Sequence, residues 1–223
     1  ILFYIPDNAS ELQPDGAPVI TVWAGGSQTN IIFFDSTCWW ETANQNGIAL
    51  IFTNEAYNTS VAVTPADVDA CYHAMLDLLE GWNDSGKFQF DLSRIYSTGQ
   101  SMGSVATIAL AENRASQLAA VISSNAGGPS RLSGGDAIPA GLVVGEGNYA
   151  DRGIPGYTAD TSYPEDDTSV LVRSTEAAAA GADIYWDAAK NLKGATNHNM
   201  NDWIAYFTDA NGLGEDSLSD VIV

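Results

Sequence analysis

One stretch limits what this chain can fold into more than any other. Ile95-Tyr96-Ser97-Thr98-Gly99-Gln100-Ser101-Met102-Gly103-Ser104 is a short apolar run that ends in Gly-x-Ser-x-Gly and leads into helical spacing. A serine held at a sharp strand-to-helix turn has a strained backbone, and the residues two before and two after it must be small because neighbouring segments pass close by. Gly99 and Gly103 occupy those two places. Beyond them, Val105, Ile108, Ala109 and Ala111 suit a helix laid on a sheet, and a helix N-terminus under Ser101 favours developing negative charge. The stretch therefore predicts a strand, an elbow with a nucleophilic Ser101 at its tip, and a helix. A glycine-rich βα turn without chemistry is the plainer alternative.

Around this stretch, strands and helices alternate, which predicts a largely parallel open sheet with helices on both faces. Strands are expected at 1–5, 19–23, 48–53, 95–97, 118–123, 141–145 and 184–186, and helices at 37–46, 65–81, 169–180 and 201–211. The helix over 65–81 is the clearest, with Val68, Cys71, Tyr72, Met75 and Leu79 at helical spacing, Pro65 at its start and Gly81 at its end. The long segment between Gly145 and Thr168 is rich in Gly, Asp, Tyr and Pro, a composition and length typical of functional loops. A chain of 223 residues, 45% of them hydrophobic, fits one α/β domain over 1–223, with no internal repeat or linker.

The formal charge is −20 with only eight Lys plus Arg, which argues against a nucleic-acid partner or an anionic membrane surface and for a solubility coat. No run of eighteen apolar residues suggests a membrane span. Cys38 and Cys71 are an even pair without metal-ligand spacing, so no metal site is expected, and a disulfide between them is favoured over a pair of buried thiols. The acidity suits an extracellular or salt-tolerant protein, and that setting favours the disulfide. The chain begins at Ile1 without an initiator methionine or signal peptide, so an upstream part is expected to have been processed or truncated.

A serine hydroxyl needs a base to become a nucleophile. Two histidines are available. His73 lies off the apolar stripe of the clearest helix, with Asp77 and Glu80 following, and reads as a solvated surface residue. His198 follows the last predicted strand and precedes the last helix, placing it at the carboxyl edge of the sheet where open α/β sheets carry their sites. It is the expected base. The order nucleophile, acid, histidine is that of an α/β-hydrolase. The acid that orients the imidazole should follow the strand at 141–145; Asp151 ranks first and Glu146 second, with Asp160, Asp166 and Asp167 further along the loop. Asp151 paired only with Arg152 is the surface alternative. Oxyanion donors are expected from the Met102 amide and, in Ala24-Gly25-Gly26-Ser27-Gln28, from the Gly26 amide. Trp39, Trp40 and Trp203 are candidates for a wall that accepts an aromatic or polymer chain, with core packing expected for at least one.

The succession Trp23-Ala24-Gly25-Gly26-Ser27-Gln28, Trp39-Trp40-Glu41-Thr42-Ala43-Asn44-Gln45-Asn46-Gly47-Ile48, Asp67-Val68-Asp69 and Asp91 to Gly103 resembles the polyhydroxybutyrate depolymerase-type esterases, a group that includes feruloyl and acetylxylan esterases. The resemblance covers roughly residues 1–127 and, loosely, the chain from His198 onward. It implies a secreted α/β-hydrolase that cleaves carboxylic esters without metal or cofactor, with Ser101, His198 and the Gly26 position carrying the chemistry. Two positions depart from the family pattern: Ala24 stands where histidine is usual, and spacing from Gly145 puts Asn148 where the acid usually stands. A peptidase of the prolyl-oligopeptidase type shares the elbow, but the extra domain such enzymes carry is not visible. A non-catalytic binding domain that keeps the fold is the reading from another class.

Overall fold

Strands buried on both faces read as unbroken apolar runs, and two segments of this chain do so. In the computed structural model, which describes residues 1–26, 28–53, 65–124, 129–131, 133–143 and 200–213, β2 (Ala17–Trp23) and β3 (Ala49–Thr53) are buried along their whole length. They sit inside a six-stranded sheet with β1 (Leu2–Tyr4), β4 (Phe90–Gln100), β5 (Ala120–Ser124) and β6 (Ala140–Val143), in the spatial order β1-β3-β2-β4-β5-β6. All neighbours run parallel except the edge pair β1 and β3.

The chain leaves β2 toward β3 on one side and returns to β4 on the other. The crevice between the carboxyl ends of β2 and β4 is therefore the switch point of the sheet, where open α/β sheets bind their ligands. Trp23 is in register with Gly99. The loop after β2 and the turn after β4 thus emerge side by side.

Alternation along the strands divides the core. Val19, Trp23, Ala49 and Ile51 face α4 (Pro65–Ser85), α5 (Met102–Arg114) and α6 (Met200–Ala210), whose contributions include Val68, Tyr72, Met75, Leu79, Ile108, Trp203, Tyr206 and Phe207. Ile20, Val22, Leu50 and Phe52 face the opposite way, toward Phe33 of α2 (Asn30–Thr37) and Ala43 of α3 (Trp39–Asn46). A single turn of helix, α1 (Ala9–Leu12), links β1 to β2. Among the described residues no helix is long and apolar enough to cross a membrane.

Three expectations are corrected. The helix expected over 37–46 is α3 (Trp39–Asn46), but an unexpected helix, α2 (Asn30–Thr37), precedes it, and the two meet at Cys38, which takes a left-handed backbone with φ +52. The first of them was hidden because Ile31 and Ile32 are 59% and 58% exposed, so Asn30–Thr37 carries no apolar stripe. Its start is set instead by Thr29, whose side chain accepts the Ile32 amide at 3.2 Å. Second, α4 does not stop at Gly81 but runs to Ser85, with Gly86 at φ +66 beyond it. Gly81 faces open space, and Trp82 just after it stacks on Phe3 at 5.7 Å, which offsets the roughly 1 kcal/mol that a glycine costs inside a helix.

Third, Cys38 and Cys71 are free thiols. Cys38 joins the helices on one face of the sheet, whereas Cys71 packs into the cluster on the other face. With the sheet between them, their α-carbons cannot reach the separation of at most about 7 Å that a disulfide requires. Titration of the denatured, unreduced protein should find two reactive thiols per chain, and a reductant should leave the melting temperature unchanged. A thiol count of zero would contradict the structure.

Burial also makes one tyrosine sensitive to alkali. Tyr72 on α4 is fully buried, its hydroxyl donates to the Gln117 carbonyl at 3.3 Å, and burial pushes its ionisation up from 10.0 to about 12. Below pH 10 the phenol is protonated whether the chain is folded or not, and its contribution is fully present. As pH rises from 10 toward 12, the unfolded chain loses the proton first, and folding stability falls by about 2–3 kcal/mol. Tyr72→Phe should lose about 1 kcal/mol at neutral pH with the hydrogen bond but show a flatter alkaline decline in urea unfolding. Parallel declines for the two proteins would exclude this role.

Candidate active site

Ser101 lies between β4 and α5 with φ +56 and ψ −117. For a non-glycine residue this backbone costs about 1–3 kcal/mol and persists only where the surroundings enforce it. Here they do. The Ser101 amide donates to the Ser124 carbonyl at the end of β5 (2.9 Å), and its own carbonyl accepts the amides of Ser104 (3.0 Å) and Val105 (3.3 Å). A Cβ on Gly99 would overlap the Gly103 backbone, and a Cβ on Gly103 would overlap the Trp23 carbonyl. Strand, turn and helix therefore pass within backbone contact of one another, and the Ser101 side chain is left half-exposed at the tip.

Beneath the elbow lies a set of buried hydroxyls that the sequence reading did not single out. The Trp23 indole N–H donates to Ser97 Oγ (3.2 Å) and Thr21 Oγ1 (3.3 Å), the Ser97 hydroxyl to Thr107 Oγ1 (3.4 Å), and the Thr21 hydroxyl to the Tyr96 carbonyl (3.2 Å). Ser104 and Ser123 share a short hydrogen bond between α5 and β5. Their only sequence signal is the presence of small hydroxyl residues inside otherwise apolar strands.

The loop after β2 closes over the elbow. Gly25 is buried, and a Cβ there would stand 2.7 Å from Gln28 Oε1 and 2.8 Å from Gln100 Oε1, so a larger residue would displace these two carboxamides. Gly26 is exposed, and a Cβ on it would be 3.3 Å from Met102 Cγ. The structure thus brings together Gly26, Ser101 and Met102, three of the residues expected to do chemistry. Met102 is the first residue of α5, so its amide has no intrahelical acceptor and is free to meet an anion. Ala24 is buried in the cluster on the α2 and α3 face, a position where an imidazole would displace core side chains.

His198, Asp151 and Glu146 lie outside the described residues. The elements that flank them are clear. β6 is parallel to β5 and ends at Val143 on the same edge as the elbow, and α6 begins at Met200. His73 is on α4, exposed, with Nδ1 3.5 Å from Asp69 Oδ2. Arg114 at the end of α5 grips the same carboxylate through Nε (2.6 Å) and Nη2 (2.8 Å) and is the main reason that Asp69 ionises below the usual range. The trio ties two helices together on the surface. Trp203 is 7% exposed in the core, its ring 4.4 Å from Phe207, and Trp39 packs half-buried on the opposite face of the sheet. Trp40 is half-buried on α3. Among the described residues no three His, Cys, Asp or Glu side chains converge as a metal site.

A mostly parallel sheet with one antiparallel edge strand, helices on both faces, and a strained serine between strand and helix at the switch point is an α/β-hydrolase fold. No protein-family model matches the chain. No curated protein matches it either. Solved structures with a similar backbone include the acetyl xylan esterase from Aspergillus awamori, with a TM-score of 0.43 and 14% identity over 54% of this chain and 44% of that one. The fluorophosphonate-binding serine hydrolase FphF of Staphylococcus aureus gives 0.42 and 19% over 55% of this chain and 49% of that one. An S-formylglutathione hydrolase from Agrobacterium tumefaciens gives 0.42 and 16% over 55% and 50%. The chain spans about half the length of these structures or less. The fold assignment rests on the strand order and the elbow.

Proposed function

We propose that the protein is a serine carboxylic-ester hydrolase that works through an acyl-enzyme. The observation that carries this reading is the strained Ser101 at φ +56, presented on a helix N-terminus with the Gly25-Gly26 loop against its neighbours. A fold that holds a serine in this backbone at a switch point has the means to expose a nucleophile and to stabilise an oxyanion. In the proposed reaction Ser101 Oγ attacks the ester carbonyl and His198 takes its proton. The Met102 and Gly26 amides donate to the oxyanion. His198 then protonates the departing alcohol, and water activated by the same imidazole releases the acid. Asp151 is proposed as the acid that orients His198, with Glu146 as the alternative.

The sequence resemblance to polyhydroxybutyrate depolymerase-type and feruloyl esterases supports polymer-linked or aromatic esters as the substrate class, acting outside the cell and without a cofactor, and the formal charge of −20 speaks against a nucleic-acid or anionic membrane partner. Trp40 is the proposed wall for the acyl or polymer chain. A fluorophosphonate label followed by peptide mapping tests the nucleophile, and a panel of p-nitrophenyl esters, methyl ferulate, acetylated xylan and polyhydroxybutyrate tests the substrate. Rapid labelling at Ser101 with hydrolysis of at least one ester class is expected. An unlabelled Ser101 in folded protein would sink the esterase reading.

A further inference from the structure

Two glycines follow β2, and either amide could in principle meet an oxyanion. The hydrogen bonds of the loop separate them. The Gly25 amide donates to Gln28 Oε1 at 2.8 Å, while the Gln28 amide donates back to the Gly25 carbonyl at 3.2 Å. Both polar groups of Gly25 are therefore engaged by one residue, its N–H by the Gln28 side chain and its C=O by the Gln28 backbone. An N–H already aimed at a carboxamide oxygen is turned away from the site. The Gly26 amide, one peptide further on, lies at an exposed glycine whose α-carbon is against Met102.

We infer that Gln28 is a positioning residue: its carboxamide holds the Gly25 N–H, its backbone amide holds the Gly25 carbonyl whose peptide carries the Gly26 N–H, and the two bonds together fix the Gly25 backbone so that the Gly26 amide is aimed at the oxyanion. The inference rests on the esterase reading and deepens it. Three features make the clamp specific. Gln28 is separated from α2 only by its N-cap Thr29, whose side chain is spent on Ile32, so the helix anchors the clamp from one end. A Cβ on Gly25 would also stand 2.8 Å from Gln100 Oε1, so the carboxamide of the residue before the nucleophile crowds the same glycine and restricts the loop. Finally, Ala24 offers no polar atom, so among the described loop side chains the Gly25 amide is capped by Gln28. A preorganised donor matters because an amide that must reorient during the reaction loses much of its worth, and removing one oxyanion donor typically costs about 100- to 1000-fold in turnover.

The test uses amide NMR on the whole chain, with a p-nitrophenyl phosphonate as the probe that places a tetrahedral, anionic oxygen on Ser101. In the wild type the Gly25 amide should be protected from hydrogen exchange before labelling. On labelling, the Gly26 and Met102 amide protons should move downfield and the Gly25 proton should not. Gln28→Ala should lose the Gly25 protection and the Gly26 shift while keeping the Met102 shift and the melting temperature, and its kcat on a p-nitrophenyl ester should fall about 10- to 100-fold with KM little changed. Thr29→Ala removes the neighbouring cap without touching Gly25 and should keep both signals, which separates the clamp from loop stability in general. A Gly25 shift on labelling, or a Gly26 shift that survives Gln28→Ala, would overturn the assignment. Failure of the phosphonate to label Ser101 would instead strike the esterase reading, and the Gly25 exchange measurement would still decide whether the clamp exists.

Discussion

Ser101→Ala should reduce ester turnover by about 10⁶, leaving only the modest rate that an oxyanion site and substrate binding sustain by themselves. The change deletes one half-exposed hydroxyl and keeps a Cβ, so the backbone at φ +56 is no more strained than before, and the melting temperature should stay within a few degrees. The measurement is turnover on a p-nitrophenyl ester, with protein repurified from a host lacking the wild-type gene to exclude contamination. Turnover within tenfold of the wild type would show that another group is the nucleophile.

The largest structural effect is expected from Gly103→Ala. The added carbon would overlap the Trp23 carbonyl, which belongs to β2 in the middle of the sheet and cannot withdraw as a flexible side chain could. Relief requires α5 to lift from β2, losing contacts of Ala106, Ile108 and Leu110 in the core. A loss of more than about 4 kcal/mol, or failure to fold, is expected in urea denaturation. Gly81→Ala is the control: it meets nothing within 4 Å and should gain up to about 1 kcal/mol. A Gly103→Ala protein as stable as the wild type would mean that the elbow is not packed as described.

The elbow was legible from Gly99, Ser101 and Gly103 because steric demand there permits almost no other residues, and β2, β3 and α4 were legible because burial imposes apolar runs or a helical stripe. What escaped has physical causes too. Asn30–Thr37 shows no periodicity, since its two isoleucines face outward, and its start depends on a side-chain cap. Gly81 misled because a single glycine on an exposed helix face costs too little to end a helix that aromatic contacts prolong. The cysteine pairing failed because parity says nothing about which face of a sheet each residue occupies. Of the candidate site, the turn that presents Ser101 with Met102 and Gly26 beside it was legible from local spacing, whereas the hydrogen bond of Gln28 to the Gly25 amide depends on where a carboxamide folds back and left no mark in the pattern. Asp151 and His198 remain readings of chain order.

The hydroxyls under the elbow bear on how the fold finds its one arrangement. A purely apolar seam between α5 and the sheet would be just as cohesive if the helix slid by a turn, because apolar contact is indifferent to register. The two hydroxyl pairs that cross this seam, Ser97 with Thr107 and Ser104 with Ser123, are not indifferent: a slide or rotation of α5 would strand these groups in a dry interior, each at a cost of about 1–3 kcal/mol. Their net cohesion is small, but their collective penalty for misplacement is large. They act as an address for the helix, so that the strained serine at its head is delivered to the same point every time the chain folds.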